Sequence, residues 1–290
     1  MPLSQPLVDL ALSLPGLEGA AGALAGCFDA ALGALGPAKQ PVKDVLNGTW
    51  LGHPAHPPIT DVPVGAWTAA LVLDLLGERR AAKVAVGVGL LGAVGAASTG
   101  LADWRDVANE RPKKLGVVHA ALNVTATGFY AASFALRGRG EREERRAVAL
   151  AATGYAIAFL SALYGGELAF DLHVGPNFAH NASPPGEESD AGPLDDVPDG
   201  GMKRVEVNGY PVLLTRRGER VSAIAAICAH QGGPLEEGTL EGEVVQCPWH
   251  GSRFCVTDGA LINGPSAYPQ PAFGVRVVDG RIRVAALEPL

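Results

Sequence analysis

The sequence predicts a multidomain α plus β protein, an N-terminal four-helix transmembrane bundle followed by an all-β sandwich. Three observations predict it. Three runs with almost no charge, at 84–102, 115–136 and 147–163, each match the roughly 17–25 residues that a spanning helix needs. The composition then turns acidic and rich in Pro, Gly, Ser and Asn. Beyond that, short Val/Leu/Ile runs are broken at Asn208-Gly209, Arg217-Gly218 and Asp279-Gly280, which are hairpin signals.

Residues 1–44 form an Ala/Gly/Leu-rich helical extension, with "LEGAAGALAGCFDAALGALG" as its clearest stretch. No Lys or Arg precedes Lys39, so neither a basic secretory n-region nor a twin-arginine export pattern is expected. A Pro-rich entry, "LNGTWLGHPAHPPITDVPVGAW", leads to a weaker fourth span at 62–76, with Asp74 inside it and Asp61 just before. The connectors "GERRAAK", "DWRDVANERPKK" and "RGRGEREERR" switch abruptly to charge. An Ala-rich soluble bundle is the plainer alternative, but buried soluble helices rarely alternate so sharply between apolar runs and charge. Small residues in "AVGVGLLGAVGAASTG" suit close helix contact in lipid.

Eight Lys and Arg lie in the first and third connectors, against six in the second connector and the N-terminal approach. By charge bias alone both termini face away from the cytoplasm. The missing export pattern argues the opposite, and the expectation leans to a cytoplasmic β domain on a multi-pass protein of a bacterial inner membrane. The helical domain is expected over 45–175, an acidic flexible linker over 176–200 and the β domain over 201–290.

A formal charge of −7, from 23 Lys and Arg against 30 Asp and Glu, gives no basic footprint for nucleic acid. Four cysteines make no disulfide framework at this length, and so few are better suited to metal or redox work. Cys228 and His230 are separated by one residue, Cys247 and His250 by two. Two Cys and two His suit Zn²⁺ as the generic reading. Both pairs, however, sit in Gly/Pro loops. A [2Fe–2S] cluster with thiolates on one iron and imidazoles on the other fits them better, because neutral imidazoles raise its potential. Cys255 and Cys27 read as structural thiols.

The segments "CAHQGGPL", "CPWHGSRF" and "GALINGPSAYPQP" resemble the two cluster loops and the proline loop of a Rieske [2Fe–2S] domain, over about 194–290. The resemblance implies that Cys228 and Cys247 hold one iron. His230 and His250 hold the other through Nδ1, while Ser252, Trp249, Gly251 and Pro265 hydrogen-bond or shield the cluster. Two features depart from the respiratory type. Gly233 and Trp249 stand where a loop-bridging disulfide would be, and Phe254 stands where a tyrosine would be. Fewer hydrogen bonds to the sulfurs imply a potential toward the low, ferredoxin-type end of the Rieske range.

The motifs "GHPAHPPITDVPVGAW", "STGLADW", "HAALN" and "GGELAFDLHVG" resemble a family of predicted four-helix membrane domains, domain of unknown function 2231, over about 45–175. His53, His56, Asp103 and His119 form a second candidate site there, because ionisable groups at membrane depth are costly and usually functional. A b-type haem on His119 with His53 or His56 is one reading, and a quinone or proton site is another. The plain reading ranks ahead of both. In it, His53 and His56 cap helix ends, and His119 hydrogen-bonds to Asp103.

The function expected is a membrane-anchored one-electron carrier whose partners are a redox protein or quinone and the lipid bilayer, without nucleic acid. The alternatives are a redox-sensing or partner-docking membrane protein and a ferredoxin component serving an oxygenase. No nucleophile–base set or dinucleotide fingerprint marks an autonomous enzyme. An oxygenase subunit would also need a mononuclear iron site on a further domain.

Overall fold

The computed structural model describes residues 4–180 and 187–286. Expectations for 1–3, 181–186 and 287–290 lie outside them. Contacts divide the chain into two units, 1–36 with 55–174, and 37–54 with 175–290.

The first unit is helical. It contains α1 (Ser4–Leu12), α2 (Leu17–Gly33), α4 (His56–Leu75), α5 (Arg79–Arg105), α6 (Glu110–Leu136) and α7 (Glu141–Gly166), the last running on through a π-helical turn at Glu167–Asp171. α4 opens with Pro57 and Pro58 in its first turn, where the missing N–H groups have no intrahelical partner anyway. α4 packs on α5 and α6 on α7 as two hairpins. Small residues set the α4–α5 spacing. A Cβ on Gly89 would stand 2.1 Å from Trp67 Nε1, and one on Gly92 2.7 Å from Val62. Trp67 then stacks on Tyr130 of α6, with ring centroids 4.0 Å apart.

α5, α6 and the helix of residues 141–171 are each long and apolar enough to cross a membrane. Only 22–28% of their apolar windows is buried within the protein. Leu91 is 79% exposed and Phe170 87%. Apolar side chains facing outward in this way argue against the soluble-bundle alternative and for lipid as the surrounding medium. α4 is not among these helices, whereas α1 and α2, bent by 79°, together have the composition of one broken span.

At one end of the bundle two charges of the expected connector, Arg137 and Glu144, are buried. Arg137 is 2% exposed and donates from both Nη atoms to Asp74, at 2.7 and 2.6 Å. Glu144 is its second partner at 3.5 Å. Asp74, which weakened the case for a fourth span at 62–76, is thus neutralised by an arginine 63 residues away.

The second unit is built on two antiparallel sheets, preceded in sequence by α3 (Lys39–Asn47). The larger sheet orders β1 (Ser189–Pro193), β10 (Arg281–Ala286), β9 (Ala272–Val278), β4 (Arg220–Ala225), β3 (Tyr210–Arg217) and β2 (Met202–Val207). The smaller orders β5 (Thr239–Glu241), β6 (Val244–Gln246), β7 (Arg253–Cys255) and β8 (Leu261–Asn263). The hairpin signals fall where expected. Asn208 and Gly209 turn β2 into β3 with φ of 53° and 79°, and Asp279 and Gly280 turn β9 into β10 with 49° and 73°.

Two features differ from the sequence expectation. β1 lies inside the segment read as a flexible linker and pairs with β10 through a bulge between Asp190 and Gly192. It is an edge strand held by backbone bonds and by Asp190 with Arg281, so "SDAGP" carries no apolar alternation to reveal it. α3, expected to end an N-terminal extension, belongs with the β unit.

Candidate metal centre

Two loops with one backbone pattern build the site. In the first, between β4 and β5, Cys228 N–H donates to Gly233 O (2.8 Å) and Gly232 N–H to Cys228 O (3.0 Å). In the second, between β6 and β7, Cys247 N–H donates to Ser252 O (2.8 Å) and Gly251 N–H to Cys247 O (3.2 Å). Each turn therefore needs a left-handed residue four positions after its cysteine. Gly232 and Gly251 supply it, with φ of 77° and 80°. Each cysteine sulfur accepts the next available amides, from His230 and Gln231 at Cys228 and from Trp249 and His250 at Cys247.

The loops bring the thiols together in a buried position, 1% exposed at Cys228 and 3% at Cys247. They share a hydrogen bond, which lowers Cys247 to about 7 and, together with burial, raises Cys228 well above its ordinary value. His230 and His250 lie half-buried with ring centroids 5.0 Å apart and planes perpendicular. Among the described residues no three His, Cys, Asp or Glu side chains converge on a point fit for one ion. The donors are two pairs, thiol with thiol and imidazole with imidazole. Such a two-plus-two set matches a binuclear cluster better than a tetrahedral zinc site, which needs all four on one centre.

The surroundings fit the same group. A Cβ on Gly233 would stand 2.9 Å from Cys247 Sγ and 3.1 Å from the Trp249 ring. The two positions where a respiratory-type disulfide would lie thus face each other across the loops as glycine and indole. Ser252 is fully buried, and its Oγ accepts the Ser266 N–H at 2.9 Å. Pro265, next to Ser266, is also buried, while Trp249 is 51% exposed. Phe254 is fully buried in the apolar cluster beneath the thiols.

Sequence reasoning missed Gln270. It is 3% exposed, accepts the Ala229 N–H (2.9 Å) and donates to Ala225 O (2.9 Å) and Ile227 O (2.8 Å), fastening the first loop to β4. Its position between Pro269 and Pro271 in the proline loop was the available signal.

The histidines of the helical unit act as ties between helices. His56 Nδ1 meets Ala96 O of α5 at 2.9 Å, and its ring covers Gly100. His119 Nδ1 meets Ser161 O of α7 at 2.9 Å, and Asn123 Nδ2 stands 3.1 Å from His119 Nε2. A ring whose Nδ1–H donates to a carbonyl presents Nε2 as an acceptor, which is the face Asn123 uses. The partner expected for His119, Asp103, is therefore replaced by Ser161 and Asn123. Asp103 sits half-buried on α5, beside Trp104. His53 lies in the β unit, exposed, with Nδ1 3.0 Å from Pro54 O.

Comparison with known proteins agrees with both halves. The Rieske [2Fe-2S] domain family matches residues 188–276, and the predicted membrane protein family DUF2231 matches 52–177. Ferredoxin CarAc of Metapseudomonas resinovorans is 36% identical over 91 residues, 31% of this chain and 85% of that one. The cytochrome b6-f complex iron-sulfur subunit of Chlorobaculum tepidum is 34% identical over 94 residues, 32% of this chain and 51% of its own length. Among solved structures, the ferredoxin of carbazole 1,9a-dioxygenase from Nocardioides aromaticivorans aligns with a TM-score of 0.33 at 31% identity, over 34% of this chain and 98% of that one. The class defined is an iron–sulfur protein with a membrane domain. The chain belongs to the Rieske [2Fe–2S] family, here fused to a DUF2231 domain.

Proposed function

We propose that the protein is a membrane-anchored one-electron carrier. In this reading Cys228 and Cys247 hold one iron of a [2Fe–2S] cluster, and His230 and His250 hold the other. The observation that carries it is the convergence of the two matched loops, with paired buried thiols on one side and paired imidazoles on the other. The cluster, when bound, takes up and releases single electrons. The chain's residues do the rest. Amides of His230, Gln231, Trp249 and His250 stabilise thiolate charge, Ser252 and the buried Pro265 cover the site, and the half-buried histidines give the electron its route to a partner. The apolar faces of α5, α6 and α7 hold the module at the bilayer, multi-pass, where a quinone or a membrane-bound redox protein is the natural partner.

The relatives include ferredoxin components and iron–sulfur subunits, which supports carriage of electrons over autonomous catalysis. Phe254 in place of a hydroxyl-bearing side chain, and glycine facing Trp249 in place of a disulfide, support a potential near the low end of the Rieske range, about −150 mV. Protein-film voltammetry of the purified protein tests this; a potential of a few hundred millivolts positive contradicts it.

A further inference from the structure

The β-sandwich does not hold the proline loop alone. Gly264 donates its N–H to Asp44 Oδ1 (2.9 Å), and its carbonyl accepts from Gln40 Nε2 (3.2 Å). Two residues on, Ser266 O accepts from Thr49 Oγ1 (3.3 Å). All three side chains come from α3 and the turn after it, outside residues 188–276 that match the Rieske family. The clamp is itself braced. Gln40 Nε2 donates to Asp44 Oδ1 (2.8 Å), and Thr49 N–H donates to Asp44 O (3.1 Å) as Gly48 ends the helix in the left-handed region. The fit is closed, since a Cβ on Gly264 would stand 2.9 Å from Thr49 Oγ1 and 3.0 Å from Asp44 Oδ1. From the clamped loop, the Ser266 N–H reaches Ser252 Oγ in the second cluster loop.

We propose that Asp44, with Gln40 and Thr49, is a positioning residue for the cluster, clamping the Gly264–Ser266 loop over it and adding a negative charge that disfavours the reduced state. This rests on the reading that Cys228, His230, Cys247 and His250 hold the cluster. A loop opened by loss of the clamp admits water, and water favours the more negative reduced form, so geometry and charge act in the same direction.

Two variants of the full-length protein separate them. Asp44→Asn keeps an acceptor oxygen and removes the charge, whereas Asp44→Ala removes both. Hydrogen exchange over residues 263–267 should run about fivefold to tenfold faster in Asp44→Ala and stay near wild type in Asp44→Asn. In an EPR-monitored redox titration both variants should have a more positive potential, Asp44→Ala by the larger shift. Unchanged exchange and unchanged potential in Asp44→Ala overturn the proposal. The exchange measurement does not require the cluster, so a wild-type protein without a Rieske-type EPR signal defeats the cluster reading and leaves the clamp to be judged by exchange alone.

Discussion

Ser252 Oγ accepts the backbone N–H of Ser266 at 2.9 Å, and both residues are fully buried. The hydroxyl's acceptor side is occupied by its own loop's neighbour, which leaves its proton to donate toward the sulfurs. Ser252→Ala removes that donor and strands the Ser266 amide. The expected outcome is a more negative potential, because the reduced cluster loses a hydrogen bond, and a stability loss of about 1–3 kcal/mol. Voltammetry and thermal melts of the variant check the two effects separately.

Gly233 is packed closely against the second cluster loop. Gly233→Ala places a methyl group 2.9 Å from Cys247 Sγ and 3.1 Å from the Trp249 ring. The buried Cys247 sulfur cannot retreat without moving the second loop, so the expected cost is about 1–3 kcal/mol, with lower iron content per chain. Iron and acid-labile sulfide assays beside a melting curve measure both. Full cluster occupancy at an unchanged Tm contradicts the closeness of the loops.

In the helical unit the buried Arg137 carries most of the polar organisation at its end of the bundle. Arg137→Met leaves Asp74 as an uncompensated charge, with an expected loss of about 3–5 kcal/mol. The double variant Arg137→Met with Asp74→Leu should recover part of it, because the Asp74 charge is then gone while Glu144 keeps the Gly138 N–H. Thermal unfolding in detergent compares the pair. A single variant as stable as wild type shows that the ion pair does not matter.

β1 is held to the sheet by a titratable contact. Arg281, chiefly by its hydrogen bond, holds the Asp190 carboxyl below its ordinary value of 3.8. A depressed carboxylate contributes stability that is fully present above that ordinary value and is lost as pH falls through the lower folded one. Residues 189–193 should therefore lose exchange protection below about pH 4, after correction for intrinsic rates, before the rest of the sheet does. Asp190→Asn should remove that pH dependence.

The cluster loops were readable because their chemistry is local. A cysteine, its histidine and a glycine four residues after the cysteine define each turn, and the pattern is the same in the fold as in the chain. The hairpins at Asn208-Gly209 and Asp279-Gly280 were readable for the same reason. What the sequence hid was non-local. β1 pairs with residues some 90 positions away without apolar alternation, and Asp44 meets Gly264 across 220 residues that include the main helices. Arg137 is one charge among many in its connector, and only the fold pairs it with Asp74. The ties of His119 to Ser161 and Asn123 depend on helix register, which composition does not reveal.

The central claim is that the four donors hold a [2Fe–2S] cluster. Its most direct test is low-temperature EPR of the dithionite-reduced, purified protein beside Cys247→Ser and Cys255→Ser. The account predicts a brown wild-type protein with a rhombic Rieske-type signal, lost in Cys247→Ser and kept in Cys255→Ser, whose thiol meets Thr257 Oγ1 at 3.0 Å. A colourless, EPR-silent wild type with one zinc per chain contradicts it.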